Sequence, residues 1–434
     1  MKTQRNLHRR RFLKSSAAAV VGAWAAPAAV SSAALGRGSP PPAGERIGLA
    51  FIGPGNRGRG LIKEFASRAE VEVLAVADVI GAQRERAVQL VRELVEPVKP
   101  AAAGRCRGYV DFREVLDRPD VDAVVVSAPE HWRAIMCIMA AKAGKDIYTE
   151  KPFSLTIKEG RAMVEAVQRY ERVFQHGTQR RAYDAVRLAC ERARSGRIGK
   201  VTHAVAWVGP GPEIDAPNNP PRGEPPHPEV FDWDLWLGPA PWRPYPGSNG
   251  VPGWQRYRDY GIRSIANWGS HTLDHGQWAL GKDHEGPVEI LPPSGDDPRT
   301  ALKYADGVVF YRYPTPGDCS DVAVFGTDGQ LRILGNPPIK EEFDATPIGP
   351  DDVHLYRCEN QDFGGDWLKC IRTREKPLCN EEVGYRSGSL CQLIAISDRL
   401  RRPLKYDPVR AAFPDDDRAN RLLDYPKRTP WRIY

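Results

Sequence analysis

Residues 46–60 read RIGLAFIGPGNRGRG, and this stretch decides the fold. The run Ile47 to Ile52 is almost wholly apolar, as expected of a strand covered on both faces of a parallel sheet. It leads straight into Gly53, Gly55 and Gly58, in the spacing G-x-G-x-x-G. At such a turn the first glycine permits the tight bend and the second lets backbone approach a pyrophosphate; the third lets the following helix pack closely on the strand. The pyrophosphate is expected at the start of that helix, beside Asn56 and Arg57. A second strand, VEVLAVAD, ends in Asp78, where a carboxylate accepts both ribose hydroxyls and repels a 2′-phosphate. The expected cofactor is therefore NAD, with Arg57 and Arg84 leaving NADP as the alternative.

Outward from this turn the pattern keeps alternating. Helical GAQRERAVQLVREL and FREVLDR are followed by the strand DAVVVSAP, helical HWRAIMCIMAAKAG and the strand DIYTEKP. That order predicts a doubly wound parallel sheet, with ligands at the carboxyl ends of its strands. Pro129, Glu130 and His131 follow one strand end, and Glu150, Lys151 and Pro152 follow another, so both groups are expected to face the nicotinamide.

The chain has 434 residues, enough for two or three domains. Its net charge of +7 is concentrated at the start: Lys2, Arg5, Arg9, Arg10, Arg11 and Lys14 lie in a segment without an acid. The remainder is nearly neutral, which argues against a nucleic-acid partner. The segment RRRFLKSSAAAVVGAWAAPAAVSSA has a basic patch, a short apolar run and small residues suited to cleavage. Its Arg9-Arg10 pair followed by RFLK matches the twin-arginine pattern, so residues 1–34 are expected to be an export signal, residues 35–45 a linker, and the mature protein periplasmic or otherwise exported. No later apolar run is long enough for a membrane span. The eight cysteines lack C-x-x-C spacing and read as small core residues, with one or two disulfides left open.

With GPGNRGRG, VSAPEHW, TEKPFSLT and QHGTQRR in this order, the chain resembles the glucose-fructose oxidoreductase, inositol dehydrogenase and MocA (Gfo/Idh/MocA) family, most of all its exported bacterial members. SGRIGKVTHA, DLWLGPAPWRPY, EVGYRSGSLCQLIAI and the closing PWRIY extend the likeness over nearly all of the mature chain. The resemblance implies a Rossmann domain over residues 46–172, then an α+β domain over residues 173–434 whose large, open, mostly antiparallel sheet closes over the nicotinamide. Assembly as a homodimer or homotetramer is implied with it. The resemblance also places Lys151 beside the reacting carbon, polarising the substrate hydroxyl or relaying its proton. A lysine at a strand end next to a cationic nicotinamide should have a lowered pKa, which suits that task. Arg180 and Tyr183 fall where the family lies near cofactor and substrate.

Two segments of the second domain stand out. GPGPEIDAPNNPPRGEPPHPEV is a long proline-rich loop, either a lid or a substrate rim. The stretch that follows, FDWDLWLGPAPWRPYPGSNGVPGWQRYRDY, contains Trp254 and other aromatics suited to stacking on a carbohydrate, although packing or an oligomer interface explains them as well.

Next comes ANWGSHTLDH, residues 266–275. On one helix, Asn267, His271 and His275 would share a face with Asp274. By resemblance His271 is the base that takes the hydroxyl proton, and Asn267 stands where active relatives have an aspartate that orients it. An asparagine can orient an imidazole through its amide oxygen but carries no charge; Asp274, one turn on, is the candidate substitute. Zinc ligation by His271 and His275 is the competing reading, but no third ligand stands out, and no metal is expected. The expectation is thus an exported NAD(P)-dependent oxidoreductase of sugars or polyols with a tightly held nucleotide. A glycoside hydrolase or lyase using transient oxidation, and a non-catalytic sugar-binding relative, are the alternatives.

Overall fold

Gly53 has a left-handed backbone, with φ of +68°, and a Cβ there would sit 2.8 Å from the backbone of Ala128. The turn after the first strand is therefore closed to other residues, as its spacing predicts. The computed structural model describes residues 45–212, 223–247, 251–315, 321–333 and 347–433. The expected export signal, nearly all of the linker and the middle of the proline-rich loop lie outside the described residues.

The first sheet comprises β1 (Ile47–Ile52), β2 (Val71–Ala77), β3 (Arg107–Tyr109), β4 (Ala123–Val126), β5 (Asp146–Glu150) and β6 (Phe174–Gly177). All its pairings are parallel, in the order β3-β2-β1-β4-β5-β6. Among the described residues its helices are α1 (Asn56–Phe65), α2 (Gly81–Val95), α3 (Phe112–Leu116), α4 (Glu130–Lys142) and α5 (Ile157–Arg169). The strand order reverses between β1 and β4, the switch point at which doubly wound sheets bind ligands. The central strands β1 and β4 are buried throughout, as their continuous apolar runs require. One expected boundary moves: β6 pairs with β5, so the first domain runs beyond residue 172 to Gly177.

The second sheet has the order β12-β11-β7-β10-β9-β8-β13. Its strands are β7 (Val201–Val208), β8 (Glu289–Leu291), β9 (Thr300–Lys303), β10 (Val309–Pro314), β11 (Val322–Gly326), β12 (Gln330–Ile333) and β13 (Leu404–Lys405). Only β7 and β10 run parallel among its described pairings, so the sheet is mostly antiparallel, as expected. The remaining helices are α6 (Asp184–Arg194), α7 (Pro228–Phe231), α8 (Trp233–Leu237), α9 (Arg263–Asn267), α10 (Gly269–Ala279), α11 (Phe363–Thr373), α12 (Glu381–Leu400) and α13 (Asp417–Asn420).

Helix α10 packs on β7 and β11, and every one of its residues is buried. Helix α12 lies against α10 on one side and against α5 and β6 on the other, joining the two domains. The seven described cysteines are free and buried, which leaves no disulfide among the described residues and makes them core side chains.

The aromatic segment resolves into two roles. Trp233 and Trp236 stack at 5.1 Å and form a small buried core with Phe231, Leu237, Ala240 and Tyr260. Pairs of this kind contribute about 0.5–1.5 kcal/mol beyond the area they bury. Packing therefore accounts for most of these rings, and Trp254, which packs against the same cluster, also lines the cavity described next. Near the end of the described residues Trp431 meets Trp132 of α4 edge-on at 4.6 Å, and so clasps the first domain.

Candidate active site

A cavity of about 660 Å³ opens at the switch point between β1 and β4. Gly53, Gly55, Asn56, Arg57, Asp78, Pro129, Glu150, Lys151, Trp254 and Asn267 all line it. The glycine turn fits a dinucleotide. A Cβ at Gly55 would meet nothing within 4 Å, which is open room where a pyrophosphate approaches, whereas a Cβ at Gly58 would lie 2.4 Å from Ser127 Oγ. No side chain caps the start of α1, so its first amides are available to an anion. Burial pushes the Asp78 carboxyl up to about 6, against the opposing pull of the Ile80 amide that it accepts at 2.9 Å. Ribose hydroxyls would give that carboxylate the donors it lacks.

Glu150 and Arg57 are partners of each other in this structure. Arg57 Nε donates to Glu150 Oε1 at 2.7 Å, and the other carboxylate oxygen accepts from the Lys151 amide at 3.2 Å. His131, expected near the nicotinamide, is not there. Its ring is fully buried between Trp236 and Tyr260, at 5.3 and 5.1 Å, with Nε2 3.0 Å from the Trp236 carbonyl. The first turn of α4 aims residues 130 and 131 away from the cavity mouth; Pro129 alone of the three lines it.

Lys151 is clamped. Its Nζ donates to the main-chain oxygen of Asn267 at 2.8 Å and also to the side-chain oxygen of the same residue. Burial lowers its pKa from the usual value, and Arg133 and Arg57 push the same way while Glu150 and Glu130 oppose. Three further contacts hold the lysine's loop. Arg133, itself buried, bonds the carbonyls of Pro152 and Ala128, tying the ends of β4 and β5 together. Phe153 is seated against Gly384 and Gly388 of α12, where a Cβ on either glycine would come within 2.7 Å of its ring or Cβ. These supports were not singled out from sequence, although the four-residue spacing of Gly384 and Gly388 puts both on one helix face.

The residues of ANWGSHTLDH separate. The helix breaks at Trp268, so Asn267 ends α9 while His271 belongs to α10. The amide oxygen of Asn267 serves Lys151, and His271 Nδ1 is buried with no hydrogen-bond partner. Asn267 is therefore the anchor of Lys151, which corrects its expected role as the orienter of His271. Asp274 is also corrected. Arg181 Nε and Nη2 hold its two oxygens at 2.8 and 2.7 Å, and Ser387 Oγ donates to one of them at 2.6 Å, so it has an ion-pair role in the core.

Burial, reinforced by Lys151 and Arg180, lowers the His271 pKa well below the usual value, so the ring is a neutral imidazole. His275, on the same helix, is buried with neither ring nitrogen hydrogen-bonded. Among the described residues no group of three or more His, Cys, Asp or Glu side chains is placed to hold a metal ion. Arg180 lies over the Trp268 ring, 5.2 Å from its centroid, and Trp268 meets the His271 ring at 6.4 Å. Tyr183 is 44% exposed, just ahead of α6.

Residues 47–178 match the oxidoreductase-family model for the NAD-binding Rossmann fold, and residues 221–433 match the model for that family's C-terminal alpha/beta domain. The chain belongs to the Gfo/Idh/MocA oxidoreductase family, and its first domain is an NAD-binding Rossmann domain.

Among similar sequences, a glycosyl hydrolase family 109 protein of Shewanella baltica is 33% identical over 178 residues, 38% of each chain. A Shewanella oneidensis alpha-N-acetylgalactosaminidase is 30% identical over the same share of each. The match thus spans well under half the length of these curated relatives. Among solved structures, the WlbA dehydrogenase of Bordetella pertussis, crystallised with NADH and UDP-GlcNAcA, superposes with a TM-score of 0.56 at 17% identity, covering 83% of this chain and 99% of that one. The myo-inositol 2-dehydrogenase of Lactobacillus plantarum gives 0.54 at 19% identity, covering 83% and 100%. At these identities the structures share the fold.

Proposed function

We propose that the protein oxidises a hydroxyl of a sugar or polyol, or reduces the matching carbonyl, in the cavity between its glycine turn and Asn267. The observation that carries this reading is the clamp on Lys151. An ammonium has three donors; two go to Asn267, leaving one position for a substrate oxygen. The lowered pKa brings the neutral amine within reach, so the group can take a hydroxyl proton or return it. NAD, when bound, supplies the acceptor for the hydride that leaves the carbinol carbon. His271, buried on the next helix and not among the residues lining the cavity, stays a neutral imidazole. Trp254 offers an aromatic face for the ring.

Export by the twin-arginine route, a tightly held nucleotide and assembly as a homodimer or homotetramer belong to the same proposal, the first supported by Arg9, Arg10 and the apolar run after them. No nucleic-acid partner is proposed. The names of the family 109 relatives favour a second reading, in which the oxidation is transient and a glycoside is cleaved.

The test uses purified full-length protein. Denaturation should release a nicotinamide nucleotide, and free sugars or polyols should reduce the nucleotide in the native protein. Glycoside cleavage without net reduction would select the second reading. If no sugar or glycoside changes the nucleotide or is itself changed, both fail.

Asn267→Asp tests the role given to Lys151. A carboxylate at the clamp would favour the ammonium and raise the lysine's pKa by about 1–3 units. The limb on which oxidation gains rate with rising pH should move up by that amount, and oxidation at neutral pH should fall. A pH profile of kcat/KM that does not move would exclude Lys151 as the titrating group.

A further inference from the structure

We infer that the protein has a second binding site, for a small amphipathic anion, in a cavity separate from that of the nucleotide. This cavity is the larger of the two, at about 1020 Å³, and no described residue lines both. Its walls come from the start of α5, the end of α12, the stretch just before α9, and α13 with the segment after it. Clefts for small ligands run to about 300–1,000 Å³, so the space suits a molecule of that size. The inference is independent of the reaction proposed above.

The lining divides by chemistry. Leu155, Ile157, Ile262 and Ile396 line the cavity and are each at most 7% exposed, so the buried part of the wall is mainly apolar. Its acids are already committed. Asp259 is paired with Arg243 at 3.0 Å, Asp398 lies 3.6 Å from Arg312, and Asp424 is paired with Lys427. Arg428, also in the wall, is paired with Asp234. Three exposed guanidinium groups remain: Arg399, Arg418 and Arg421 have no ion pair or side-chain hydrogen bond among the described residues. Asp416, which feels the charge of Arg418, is bonded to Arg402 at 2.8 Å. Arg418 and Arg421 are three residues apart on α13 and its cap, so two like charges share one face with no counter-ion between them.

An amphipathic anion answers both halves of this wall. Its apolar body would cover the buried side chains, and its oxyanion would meet guanidinium forks in charge-assisted bonds. A neutral sugar would do neither, so the occupant differs in class from the substrate. The site also adjoins the chemistry: Gln392, in the same wall, donates from Nε2 to the Ser154 carbonyl at 2.8 Å and to its hydroxyl at 3.0 Å. The wall is thereby tied to the loop that carries Lys151.

The experiment is a calorimetric titration of the full-length protein, with NAD in excess so that the nucleotide cavity is filled. Octyl phosphate and octanoate are the probes, standing for a phosphate-headed lipid and a fatty acid; octanol and inorganic phosphate supply each half alone. The tighter-binding probe identifies the head, and it should bind about 10- to 100-fold more tightly than octanol, the range of charge-assisted bonds. Octyl phosphate should exceed hexyl phosphate by about 10-fold, the effect of burying two methylenes. Changing Arg418→Gln and Arg421→Gln together should bring the anion to within a few-fold of octanol, with thermal stability unchanged because both side chains are exposed and unpaired. Inorganic phosphate or octanol bound as tightly as the anionic probes, an affinity that survives the double change, or binding seen only without NAD would overturn the inference.

Discussion

Lys151→Met is expected to lower kcat/KM for sugar oxidation by about 10² to 10⁴-fold, the range supplied by one positioned proton-transfer group. Methionine keeps the length and apolar stem of lysine, so the loss would come from the amine. Lys151 Nζ bonds Asn267 and neither the glycine turn nor Asp78, so the variant should still release nucleotide on denaturation. Single-turnover reduction of the bound nucleotide is the decisive measurement, because it excludes product release. A rate within a few-fold of the parent would remove Lys151 from the chemistry and leave His271 as the proton acceptor. That result would be difficult to reconcile with an imidazole whose pKa burial holds well below its usual value.

Asp274→Ala is expected to destabilise the protein by about 3–5 kcal/mol, the cost of stranding one partner of a buried ion pair. Arg181 is 1% exposed and would lose two hydrogen bonds, keeping only Asp283 from its pair of carboxylates. Ser387 Oγ would lose its acceptor at the same time. Because Arg181 sits beside Arg180, and α10 carries both Asp274 and His271, the damage should also reach the site. The check is a denaturant midpoint for Asp274→Ala, Arg181→Met and the pair of changes together. The double variant should be more stable than the sum of the single losses, since neither charge is then left alone. A single-variant loss below about 1 kcal/mol would show that Asp283 alone satisfies the arginine.

Local chemistry made the first domain readable from sequence. Gly53, Gly55, Gly58 and Asp78 each answer a local requirement of one turn or strand end, and all line or shape the cavity as expected. VFQHG is too short for periodicity to say which sheet it joins, and its pairing with β5 carries the first domain past residue 172.

The proton site was legible in its residues but not in its contacts. Reading ANWGSHTLDH as one helix stacks Asn267 on His271, but the break at Trp268 turns the amide toward Lys151, more than a hundred positions away. Spacing placed Asp274 on a shared face with His271. It could not reveal that Arg181 arrives from another element to claim it. His131 failed for a related reason: a strand-end position sets where a backbone emerges, and the aromatic core of Trp236 and Tyr260 decides where the ring goes.

The double grip of Asn267 on Lys151 has an evolutionary consequence. One of its two contacts is to a carbonyl, which every amino acid at position 267 would present if the helix ends in the same place. The other is to the side-chain oxygen, which only some would present. Where the lysine sits is thereby inherited from the backbone, while how readily it gives up a proton is written in a single codon. Relatives built on this scaffold could retune their working pH or favoured redox direction at position 267 without moving the reactive atom.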